Sequence, residues 1–198
     1  MRVTGIWDEI YLAWAKWGFL RRIRRHGWTG NYIPETDSEA SFAYSIGLWE
    51  CLGAPELIVF GADHEASRGL IAEAHAQLKT GELKLTDKAP WMLDWKGGRR
   101  LAWRAVHPSQ IRGEYFSVAI WYRQRQERGK EGFQAFQLVI ADENGVMPWE
   151  DGFDTDDRLQ APELYLPISG RGRRPARRLE DNRRAISASR RGGPRRSR

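Results

Sequence analysis

The chain has a single cysteine, Cys51, in 198 residues. An intrachain disulfide framework is therefore excluded, and a cytoplasmic compartment is expected. No stretch approaches the roughly 18 consecutive apolar residues of a membrane span. The first ten residues carry Asp8 and Glu9 and lack the apolar centre of a secretory signal. Cofactor and catalytic fingerprints are missing as well: there is no P-loop, no Rossmann glycine motif, no nucleophile elbow and no Cys-x-x-Cys. Only four histidines occur, His26, His64, His75 and His107, and none pairs with another at metal-ligand spacing. No cofactor and no metal site are implied.

What is present is a globular composition, 41% hydrophobic with ten tryptophans, enough for one domain with a real core. The net charge of +6 is unevenly spread. The segment from Ser169 onward carries Arg171, Arg173, Arg174, Arg177, Arg178, Arg183, Arg184, Arg190, Arg191, Arg195, Arg196 and Arg198 against Glu180 and Asp181, a net of +10. Residues 1–168 are left at −4. The reading is a mildly acidic domain with a basic tail. The tail has almost no large apolar residue to offset its ordering entropy, so disorder is expected there. Twelve guanidiniums suit non-specific contact with nucleic-acid phosphates, and the lack of interleaved aromatics argues against base reading. A solubilising tail is the alternative.

Residues 1–24 are read as a separate N-terminal amphipathic helix. Trp7, Ile10, Tyr11, Trp14 and Trp17 recur at helical spacing, with acids in the first turn and arginines in the last. The helix either docks on the domain through its tryptophans or serves a membrane surface or partner. Residues 41–48 alternate as a strand, with Phe42, Tyr44, Ile46 and Leu48 on one face and Ala43, Ser45 and Gly47 on the other. Residues 56–61 are apolar on both faces, which predicts a central strand covered on both sides. Asp63 and Gly81 bracket a helix over 64–80. Two strands are expected around Lys96-Gly97-Gly98-Arg99, a helix over 108–127 starting at Pro108, and a strand over 133–141. With a further strand near 28–34, the fold class is α+β: a largely antiparallel sheet covered by two to three helices, in one domain spanning 25–168.

Three stretches stand out: His26-Gly27-Trp28, Phe42 to Leu48, and Pro55 to Gly61. They resemble the signature of a bacterial family designated domain of unknown function 4262, and Phe136 to Val139, Asp142, Gly145 and Pro148-Trp149 resemble its C-terminal motif. The resemblance covers about residues 25–165. Members of the family often carry a histidine before the Pro-Glu pair, where this chain has Ala54, which weakens an enzyme reading. The family's activity is unassigned, so the resemblance ranks no function.

Candidate site residues follow from chemistry. His26, beside an indole, suits a general base or a ligand-orienting group; a packed structural histidine is the competing reading. Glu56, at the head of an apolar strand, either holds backbone amides or reaches into a pocket where burial would raise its pKa. Trp28, Tyr44 and Trp149 offer aromatic, partly polar recognition surface. The leading function is a binding or interaction module for a small-molecule or protein ligand, with a pocket near His26, Trp28, Tyr44, Glu56 and Trp149. The alternatives are a small hydrolase-like enzyme using His26 and Glu56, and a nucleic-acid-associated protein tethered by its tail.

Overall fold

The computed structural model describes residues 6–37, 39–91, 98–126, 132–154 and 161–168, with side chains inside helix 1 from Lys16 onward. The arginine tail, the Lys96-Gly97 turn and the side chains of Trp7, Ile10, Tyr11 and Trp14 lie outside the described residues. Described residues through Pro167 belong to one compact unit.

The chain runs α1 (Ile6–His26), β1 (Thr29–Ile33), β2 (Phe42–Ile46), α2 (Leu48–Leu52), β3 (Glu56–Phe60), α3 (His64–Thr80), β4 (Ala89–Trp91), β5 (Leu101–Ala105), a 3-10 turn (Pro108–Gln110), α4 (Gly113–Arg125) and β6 (Ala135–Ile140). The strands form one six-stranded sheet in the order β1-β2-β3-β6-β5-β4. Every pairing is antiparallel except β3 with β6, where Ile58 lies opposite Gln137 in a parallel register. This is the expected α+β architecture, with the parallel central pair added.

Alternation along β2 and β3 explains the two main cores. Phe42, Tyr44, Ile46, Ile58 and Phe60 face α4 and the end of α1, packing with Ile23, Phe116, Ala119 and Ile120. Ala43, Leu57 and Val59 face α3, packing with Leu70, Ile71 and Ala74. β3 is thus covered on both sides, as its apolar run requires. The small residues on one face of β2 let α3 approach closely. Helix α3 begins where Asp63 accepts from the Ala66 N–H at 2.8 Å and stops at Gly81, in the left-handed region.

Two local expectations are corrected. Leu48 does not extend β2. Gly47 turns the chain at φ 100°, and Leu48 opens the five-residue α2 and is buried on the α3 side. The single helix over 108–127 is split. His107 caps a 3-10 turn through Nδ1, which accepts from the Ser109 N–H at 3.2 Å. Ile111 and Arg112 then leave helical geometry before α4 starts at Gly113. A proline in the first turn and a glycine four residues after Ser109 are weak support for a continuous helix. Helix α4 is itself interrupted at Phe116, at φ −130° and ψ 27°.

Candidate functional site

The five residues grouped by the sequence separate into four environments. Glu56 is 4% exposed and forms a closed clamp. Ser45 Oγ donates to its Oε2 at 2.5 Å, and the N–H groups of Gly47 and Leu48 donate to Oε1 at 2.8 and 3.1 Å. Ser45 Oγ in turn accepts from the Leu57 N–H at 2.8 Å. The carboxylate therefore ties the β2–α2 turn to the head of β3. Burial pushes its pKa up to about 7, against the pull of these hydrogen bonds. Ser45 is fully engaged and buried, so no nucleophile is presented there.

Tyr44 is 1% exposed and serves the α4 side. Its Oη accepts from Asn31 Nδ2 at 2.8 Å and from the Val118 N–H at 3.3 Å, just beyond the break at Phe116. Trp149 sits by a different core. It meets Tyr165 edge-on at 6.0 Å, with the Arg104 guanidinium 4.7 Å from its ring. Arg104 also lies 4.0 Å from the Tyr165 ring and is anchored by Asp87 at 2.9 Å. This is a packed cation–aromatic stack rather than an opening.

His26 and Trp28 alone share a cavity. It measures about 560 Å³ and lies along β1, between the end of α1 and the start of α3. Helix α1 contributes Arg22 and His26, the β1 region Trp28 and Tyr32, and α3 His64 and Arg68. Ala43 and Ile71 supply an apolar floor. The half-buried Trp28 ring is supported by His75, with centroids 5.0 Å apart. Burial lowers the pKa of that imidazole, which favours its neutral form against the indole. Tyr32 meets His64 edge-on at 5.1 Å. Arg22 is oriented by its Nε donating to Thr29 Oγ1 at 3.1 Å. Among the described residues no carboxylate lines the cavity, and neither Arg22 nor Arg68 has an ion-pair partner.

Arg22, Tyr32, His64 and Arg68 were not singled out by the sequence reading. One signal was available. Arg22 and His26 are four residues apart on α1, and His64 and Arg68 are four apart on α3, so each pair shares a helix face. That the two faces meet across β1 is a tertiary fact.

Residues 22–154 match the family model described as Domain of unknown function (DUF4262). The chain belongs to this family. The match starts inside α1, three residues before the resemblance read from sequence, and so includes Arg22. All eleven described residues that line the cavity lie within the DUF4262 region. No curated protein and no solved structure matches the chain.

A second cavity of about 300 Å³ lies by α2 and α4 of the DUF4262 domain, where Arg24, Glu50, Cys51, Tyr122 and Arg125 meet. Burial and the neighbouring Glu56 push the Cys51 thiol up, so it is protonated at neutral pH and a poor nucleophile. Glu56 lines neither cavity. Among the described residues no group of three or more His, Cys, Asp or Glu could hold a metal ion, and no helix is long and apolar enough to cross a membrane.

Proposed function

We propose that this chain is a binding module whose ligand carries negative charge and enters the cavity beside β1. One observation carries the reading: Arg22, Arg68, His26 and His64 line a space with two aromatic rings and, among the described residues, no carboxylate. Cations on a protein surface ordinarily find acidic neighbours or spread apart. Two guanidiniums with no carboxylate beside them in the lining present positive charge to the hollow, and an anionic ligand complements it. Trp28 and Tyr32 add apolar contact area beside the charge.

The hydrolase-like alternative draws no support from this geometry. The oxygens of Glu56 are occupied by Ser45, Gly47 and Leu48, and His26 faces the cavity from the exposed end of α1. Binding is tested with inorganic phosphate and succinate, followed by amide and indole NMR shifts. The shifts are expected to cluster at Trp28 and β1 and to vanish in the R22Q/R68Q double variant. Shifts that survive in the double variant, or that scatter over the surface, would overturn the reading.

A further inference from the structure

Besides the flanking side chains, the cavity is lined by Thr29, Gly30, Asn31 and Tyr32, four consecutive residues of β1. Successive strand side chains point to opposite faces of a sheet. A hollow that all four reach, and whose floor is Ala43 and Ile71, therefore takes in the backbone edge of the strand as well as part of its α3-side face. Gly30 strengthens the point, because it has no side chain to present. Among the described residues β1 is the last strand of the sheet and pairs with β2 alone. In an antiparallel pair, alternate residues turn both N–H and C=O away from the partner. Those groups of β1 lie on the side away from β2, along which the cavity follows Thr29 to Tyr32, a length of roughly 13 Å for four residues at about 3.3 Å each.

From this edge we infer that the ligand is an extended acidic peptide segment that adds to β1 as a seventh strand; the inference rests on the anion-binding reading of the same cavity. Backbone hydrogen bonds along β1 supply sequence-independent affinity, and the flanking side chains supply selection. Carboxylates on the incoming strand meet Arg68 and His64 on the α3 side and Arg22 and His26 on the α1 side. Apolar side chains on the α3 side meet Trp28 and Tyr32, which pack with that core.

Charge also decides against the commonest competitor for an open strand edge, a second copy of the same edge. Two β1 strands paired with each other would bring both sets of Arg22 and Arg68 together with no carboxylate between them. The cations that attract an acidic segment thus keep the edge from pairing with itself.

The test uses the full chain and a capped heptapeptide, Glu-Glu-Val-Glu-Glu-Val-Glu, which sets carboxylates and an apolar side chain on both faces of the strand, followed by tryptophan fluorescence and amide hydrogen exchange. Binding is expected, with exchange slowed at every second residue of β1. Replacing glutamate by lysine should abolish it. R68Q should weaken it about tenfold. Methylating peptide nitrogens singly should weaken binding about fivefold at alternate positions only, because only those N–H groups face β1. Binding indifferent to N-methylation, or no protection of β1 amides, would overturn strand addition. If phosphate still shifts Trp28 in that case, the anion-binding reading stands by itself; if neither probe binds, both fall. A dimer whose contacts protect β1 in the absence of peptide would also overturn the inference.

Discussion

The Glu56 clamp and the β1 cavity are both polar constellations in a largely apolar domain, and they are built on opposite principles. At Glu56 one carboxylate is surrounded by three donors and no space. At the cavity several cationic or ionisable groups surround a space with no carboxylate among the described residues. The first arrangement is complete within the chain, so its work is to hold the β2–α2–β3 corner. The second has no carboxylate among the described residues, and the proposed anionic ligand would supply one. On that proposal the site is marked by charge left unmatched around a hollow, not by buried charge.

The sharpest way to break this comparison is to delete the clamp. Glu56→Ala leaves the Ser45 hydroxyl and the Gly47 and Leu48 amides buried without an acceptor. The expected loss is about 3–5 kcal/mol, read as a shift in urea midpoint at pH 6. Next comes Gly47→Val. A Cβ at Gly47 would lie 3.0 Å from the Gly27 carbonyl oxygen, and φ is 100°. Backbone strain and crowding together should cost about 2–4 kcal/mol. An unchanged midpoint in either variant would show that the corner is not held as described.

The clamp also predicts a pH signature. The Glu56 carboxyl titrates near 7 in the folded chain, above its ordinary 4.5. The folded state therefore keeps the proton over a window in which the unfolded state has lost it. Stability contributed by this group is greatest below 4.5 and falls as pH rises through 7. Between pH 5 and 8 the decline should be about 2–3 kcal/mol. Glu56→Gln should remove that slope. His75, whose pKa is lowered, works in the opposite sense, losing stability as pH falls below its ordinary value. The clamp is therefore read from the difference between wild type and Glu56→Gln, not from either profile alone.

The cavity should behave in the reverse way. Arg68 is exposed and has no ion-pair partner among the described residues, so Arg68→Gln should change stability by less than about 0.5 kcal/mol while weakening anion binding. A large stability loss would make Arg68 another clamp and erase the contrast. The smallest structural effect is expected from removing residues 169–198. Retention on DNA at low salt, if the arginines confer it, should disappear with no change in the melting of the rest. Retention that survives the deletion would shift attention to the domain itself.

Much of the fold was legible because its signals are local. The alternation of β2, the two-sided apolar run of β3, and the Asp63 and Gly81 brackets of α3 are each written within a few residues. The β3–β6 adjacency was not, because nothing in either strand records its partner. Five-residue α2 is too short to show a period, and its start depends on a glycine conformation and a distant carboxylate. At the site, Tyr44 and Trp149 were grouped with Trp28 because an aromatic ring with a polar tip has the same composition in a core as in a pocket. Asn31, Val118, Arg104 and Tyr165 decide their roles, and all are tertiary neighbours. His26 and Trp28 were found together because they adjoin β1 in sequence. The rest of the cavity comes from two helix ends that meet only after folding.

The strand order also bears on how the chain emerges from the ribosome. β2 and β3 can pair early, since only the short connection through α2 separates them. The other edge of β3 waits for β6: Ile58 finds its place beside Gln137 only after α3, β4, β5 and α4 have been made. At about 5–20 residues per second, that wait lasts several seconds. Throughout it Leu57, Ile58, Val59 and Phe60 form a β-prone apolar segment with one open side, the kind of segment that recruits neighbouring nascent chains. Slower synthesis lengthens that exposure, and a chain truncated before Ala135 never ends it.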